Sequence, residues 1–179
     1  MDKLSIKEFH QFMRGPFVVS IERAFRMHQI FCEADLQSFA WRKIKSFLEK
    51  HEETTGKFRV LNKPFLRDCR TYPDLVVFRR TVPWVVIELK ESKVMKMQTA
   101  ERERKKLLHA KSVLHPKRGY LVYVARYGSE RVISGPKGEG GRYFFEVPIV
   151  LEQRLSNKAK MKVWTEEFRL WAKYVLEKE

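Results

Sequence analysis

No stretch of the 179 residues approaches the roughly eighteen consecutive apolar residues that a membrane-spanning helix needs. The first residues, Met1-Asp2-Lys3-Leu4, mix charge with apolar side chains and lack the continuous apolar core of a signal peptide. Cysteine is almost missing. Cys32 and Cys69 stand alone, without CxxC spacing or a Cys/His cluster, which argues against a disulfide framework or a structural zinc site. A reducing cytoplasm is the expected location. The five histidines (His10, His28, His51, His109 and His115) show neither ligand nor triad spacing. No internal repeat is present. Acidic residues are scarce relative to basic ones: 22 Asp and Glu against 37 Lys and Arg leave a net charge of +15. Such an excess costs self-repulsion, and it points to a polyanionic partner rather than a membrane surface, because no basic stretch is backed by a strong apolar face.

What is present suits one globular domain. Apolar residues make up 44% of the chain, with thirteen Phe, four Trp and six Tyr to fill a core. Residues 1–19 read as a short helix or arm ending at Gly15-Pro16. A helical pattern runs from Ser20 to His51, with a break near Phe31-Cys32 and an inward stripe of Glu33, Gln37, Ala40, Ile44 and Phe47/Leu48. Lys57–Asn62 reads as a short strand, and Pro64–Tyr72 as an irregular connection. Asp74–Arg80 and Pro83–Lys90 read as an antiparallel hairpin turning near Thr81-Val82. Ser92–Leu114 is a basic helical region with a thin stripe of Ala100, Leu107, Leu108, Lys111 and Leu114. Tyr120–Tyr127 alternates as a strand, and Arg142–Leu151 reads as an edge strand ending at Pro148 or a further turn. Between them, residues 134–141 hold four of the eight glycines and read as a loop. Trp164–Glu179 reads as a final helix. This order predicts an α/β sandwich around a mixed sheet flanked by helices.

The run Val85-Val86-Ile87-Glu88-Leu89-Lys90 is apolar enough to be a central strand, and a carboxylate inside it is costly unless paired or bound to metal. Alternation puts Glu88 and Lys90 on one face. Hairpin register brings Asp74 opposite Glu88 or Lys90. Two readings fit this grouping. One is a buried salt bridge. The other is a site in which Asp74 and Glu88 offer hard oxygen ligands to Mg²⁺ or Mn²⁺, while Lys90 orients or activates an attacking water.

Pro73-Asp74, a gap of thirteen residues, and Glu88-Leu89-Lys90 together resemble the PD-(D/E)xK nuclease superfamily, also called the restriction-endonuclease-like fold. The resemblance covers residues 20–127; residues 128–179, with additional strands and the final helix, fall outside it. It implies a Mg²⁺- or Mn²⁺-dependent nuclease, a hydrolase of phosphodiester bonds in DNA, with an endodeoxyribonuclease as the expected form. It also implies a backbone ligand at the Leu89 carbonyl and a third carboxylate from the preceding helix. Glu33 is the matching residue, contacting metal directly or through water, with Gln37 supporting it; Asp35 and Glu22 are the competing assignments. The Gln-x-x-x-Tyr motif of some exonuclease branches is not matched, because Gln98 is followed four residues later by Arg102. Archaeal junction resolvases and the nuclease regions of type I restriction subunits have similar layouts.

Residues 91–118 hold nine basic and three acidic side chains. Lys93, Lys96, Arg102, Lys105 and Lys106 are therefore the expected contacts to nucleic-acid phosphates. The alternatives are a non-catalytic nucleic-acid-binding module on the same fold, or a subunit of a larger DNA-processing complex. A homodimer is also open. The final helix, with Trp164, Phe168, Trp171 and Val175 on one side, serves such docking or simply the core.

Overall fold

The computed structural model describes residues 4–51, 57–64, 73–92, 96–125 and 143–151. The loop at 134–141, the helix at 164–179, the connection at 65–72 and Lys93 lie outside the described residues.

The chain opens with α1 (Ile6–Arg14) and α2 (Pro16–Arg26). Ser5 and Glu8 cap α1 reciprocally: the Glu8 amide donates to the Ser5 hydroxyl and the Ser5 amide to the Glu8 carboxylate. Gly15-Pro16 does not end a helical arm there but starts the next helix. Proline at the first helical position gives up an N–H that has no partner in a helix anyway, so α2 begins at Pro16 rather than near Ser20. After the break, α3 (Glu33–Glu49) begins with Asp35 folded back onto the Phe31 and Cys32 amides at 3.0 and 3.2 Å.

Among the described residues, five strands form one mixed sheet in the order β1 (Phe58–Asn62), β2 (Leu75–Arg79), β3 (Val82–Ser92), β4 (Arg118–Ala125), β5 (Phe144–Val150). The first three run antiparallel as a meander, and β3–β4 and β4–β5 are parallel. The β2–β3 turn sits at Arg80-Thr81, with Arg80 in the left-handed region at φ 59°. A parallel neighbour requires a crossover, and α4 (Met97–Leu114) supplies it between β3 and β4. Ser92 belongs to β3 rather than to that helix. The edge strand β5 passes through Pro148 instead of stopping at it, as an edge position allows.

Strand alternation divides the core into two. On one face Leu75, Val77, Ile87, Leu89, Val122 and Val124 meet the helices α1–α3 through Phe9, Met13, Phe17, Ile21, Leu36 and Ile44. On the other face Val76, Val86, Leu121, Tyr123 and Phe144 meet α4 through Ala100, Leu107 and Ala110. The α4 stripe is thus rotated from the expected one: Leu108 is 43% exposed, and Ala110 is buried in its place. A bulge in β3, where Val77 pairs with Val85 but Phe78 with Pro83, leaves Trp84 as an extra residue. It therefore shares a cluster with Val85, and its ring lies 5.2 Å from those of Phe9 and Phe58.

Close approach explains Gly119 in β4. A Cβ there would stand 3.1 Å from the Tyr143 ring, which is itself buried. Gly119→Ala is expected to cost about 1–2 kcal/mol by forcing that ring aside. An unchanged midpoint in urea unfolding would refute the contact.

Candidate carboxylate–lysine site at the β2–β3 end

Leu75 pairs with Ile87, so the next residues outward, Asp74 and Glu88, stand across from each other at the end of the β2–β3 ladder. The expected register holds, and the two carboxyl groups lie within hydrogen-bonding reach of one another. Both are buried, Asp74 to 7% exposure and Glu88 to 2%. Asp74 is held on both oxygens. Oδ2 accepts from the Leu89 amide at 2.8 Å, and Oδ1 accepts from Gln37 Nε2 at 2.7 Å. Gln37, on the buried side of α3, is what ties that helix to the strand ends.

The main chain contributes as well. The Leu89 amide points toward β2 and is taken by the Asp74 side chain, so the Leu89 carbonyl points the same way. Its ladder partner in this register would be residue 73. Pro73 has no N–H to offer. A hard acceptor is thereby directed to the same end of the sheet as the two carboxylates.

Burial, followed by the neighbouring Asp74 charge, pushes the Glu88 carboxyl up to about 9, with Lys106 opposing it. Burial likewise raises Asp74, against the Leu89 amide, which favours the charged form. Two carboxyls this close do not both ionise without a cation.

Lys90 shares a face with Glu88, and its ammonium meets Glu33 Oε2 at 2.5 Å. Glu33 therefore stands at the first position of α3 beside the lysine, near enough for its charge to act on Asp74. Among the described residues, no group of three or more His, Cys, Asp or Glu side chains gathers as a metal cage. Of the competing acids, Asp35 is engaged as the α3 cap, and Glu22 lies on α2.

Two charged residues of α4 complete the picture, one of them absent from the expected set. Glu103 is 3% exposed and faces the sheet; its Oε1 accepts from Arg102 at 3.1 Å and its Oε2 from Lys106 at 2.5 Å. Lys106 also lies 3.9 Å from Glu88 Oε2. Burial works to lower the Lys106 pKa, but the hydrogen bond to Glu103 and the charge of Glu88 prevail and raise it. Of the residues expected to touch phosphates, Lys96 and Lys105 are exposed, and Arg102 is exposed while holding Glu103. Lys106 instead turns inward. The spacing 100, 103, 107, 110 was the signal for Glu103, since it puts the acid on the buried stripe.

The donor set fits a small hard cation. Mg²⁺ commonly takes only one or two protein carboxylates, keeps several waters and accepts phosphate oxygens at its remaining positions. Asp74, Glu88 and the Leu89 carbonyl meet that requirement without a third acid. Comparison of the chain with known protein families, with curated proteins and with solved structures finds no match.

Proposed function

We propose that the chain is a Mg²⁺- or Mn²⁺-dependent nuclease of the restriction-endonuclease-like type, cleaving phosphodiester bonds in DNA. The observation that carries this reading is the contact between two buried carboxyl groups, Asp74 and Glu88, with the Lys90 ammonium two residues along the same strand face. A bound divalent ion supplies neutralisation of charge on the phosphate and a lowered pKa for a coordinated water. The protein's own groups do the rest. Gln37 and the Leu89 amide fix the Asp74 carboxylate, which with Glu88 would hold the ion. Lys90 stands where an ammonium can hold the attacking water or a phosphate oxygen, and Glu33 keeps it there. Lys96, at the N-cap of α4, and Lys105 on that helix supply exposed positive charge for the DNA backbone, as part of the net charge of +15.

A second reading rests on the ion pairs. Lys90 is satisfied by Glu33, and Glu88 faces Lys106, so the same groups can serve as partly buried salt bridges in a non-catalytic nucleic-acid-binding module or a subunit of a larger complex. Incubation of the protein with supercoiled plasmid in Mg²⁺, Mn²⁺ or EDTA separates the two. We expect metal-dependent nicking that falls by at least about a hundredfold in Lys90→Ala. Salt-sensitive binding with no cleavage under either ion would establish the module instead. Nicking that survives the substitution would trace the activity to a contaminant.

A further inference from the structure

A phosphodiesterase site with two cations bridges them with a shared carboxylate and places them a few ångströms apart, one near the attacking oxygen and one near the leaving oxygen. Beside Glu88, such a second position would be flanked here by Glu103 on α4. Both acids are buried, at 2% and 3% exposure, and both come from packed elements, β3 and α4. An ammonium group already stands between them. Lys106 Nζ is 2.5 Å from Glu103 Oε2 and 3.9 Å from Glu88 Oε2. Arg102 occupies the other oxygen of Glu103, so this acid is oriented by two cations of its own helix. A lysine reaching outward for phosphate would need neither Glu103 nor its burial, and a simple surface ion pair would not carry its acid into the core.

We propose that Lys106 is a positioning residue whose ammonium occupies the second cation position of this site, so that the protein works with a single divalent ion bound by Asp74 and Glu88. The inference rests on the nuclease reading above and deepens it. Lys106 places its charge 3.9 Å from Glu88 Oε2, where a second divalent ion would otherwise be held. Its charge is attached to α4 and does not depend on free metal concentration.

Counting bound Mn²⁺ on the full chain, by electron paramagnetic resonance of free ion and by calorimetry, tests this. The wild-type protein is expected to bind one ion. Lys106→Gln removes the charge but keeps a chain of similar reach, and it is expected to bind two, the new ion held between Glu88 and Glu103. Adding Glu103→Gln to that variant should return the count to one. Lys106→Met provides the same measurement from a variant with the lysine's bulk and no polar end, should the glutamine variant fail to show cooperative unfolding. One ion in both wild type and the Lys106 variants overturns the proposal and leaves the nuclease reading standing. Two ions in the wild type overturn it as well. No ion in the wild type overturns the metal-site reading and the proposal with it.

Discussion

Asp74→Asn is expected to abolish metal-dependent cleavage, by about 10³-fold or more, while leaving the metal-free protein at least as stable as the wild type. The first half follows from the chemistry of the donor. A neutral amide oxygen is a far weaker ligand for a hard divalent ion than a carboxylate, and a thousandfold loss corresponds to about 4 kcal/mol of transition-state stabilisation. The second half follows from the hydrogen bonds. The asparagine oxygen can still accept from the Leu89 amide, now at 2.8 Å from Asp74 Oδ2, and its NH₂ can donate to Gln37 once that side chain turns its own oxygen inward. The substitution also relieves the repulsion that Asp74 imposes on Glu88. Plasmid-nicking rates and thermal unfolding, measured on the same preparations, check both halves. A variant that loses activity only because it unfolds would show Asp74 to be a structural acid; one that cleaves normally would remove it from the site.

The metal-free protein is expected to lose stability as pH rises, and divalent metal to reverse that loss. Glu88 has its folded-state pKa raised from an ordinary value near 4.5 to about 9. Its protonated form is the one the fold prefers, so this contribution is complete below the unfolded-state value. It declines as pH climbs through the interval, by about 1.4 kcal/mol per pH unit until the folded-state value is reached. Mg²⁺ or Mn²⁺ requires the same carboxyls ionised and binds the native state alone, so its stabilising effect grows over the same range. Thermal melts from pH 5.5 to 9, with EDTA and with Mg²⁺, should therefore diverge. Glu88→Gln should flatten both curves together, since glutamine neither titrates nor holds the ion. Parallel curves for the wild type with and without metal would deny that the ion and the proton compete for this group.

Much of the site was legible because strand geometry is strict. A period of two put Glu88 and Lys90 on one face, and a hairpin turning near residue 81 left Asp74 only one neighbourhood to occupy. The turn itself, at Arg80-Thr81, lay one residue from its expected place. Helices were less forgiving. On α4 the choice between Leu108 and Ala110 for the buried stripe turns on about one residue of rotation, and the larger side chain drew the wrong inference. That same rotation concealed Glu103 on the inward face and made Lys106 look like a free phosphate contact. Pro16 misled for a different reason: proline both ends helices and begins them, and only the residue before it, Gly15, joining two helices at an angle, distinguishes the cases. Glu33 was identified on α3, but the salt bridge it forms with Lys90 depends on where the helix start meets the sheet, which no local pattern encodes.

The uneven attachment of the two helical layers has a consequence for access. The three helices on one face are anchored by phenylalanine, methionine and long aliphatic side chains, whereas α4 is anchored by Ala100, Leu107 and Ala110 and by charged pairs to the sheet, Lys106 with Glu88 and Arg104 with Glu146. Small apolar contacts give way at lower free energy than a large aromatic core. α4 is therefore expected to open before the other three helices, and it is the helix that brings Lys106 to Glu88. Access of ions and water to the carboxylates is then expected to follow the opening of α4, and hydrogen exchange of the α4 amides faster than those of α1–α3 would show it.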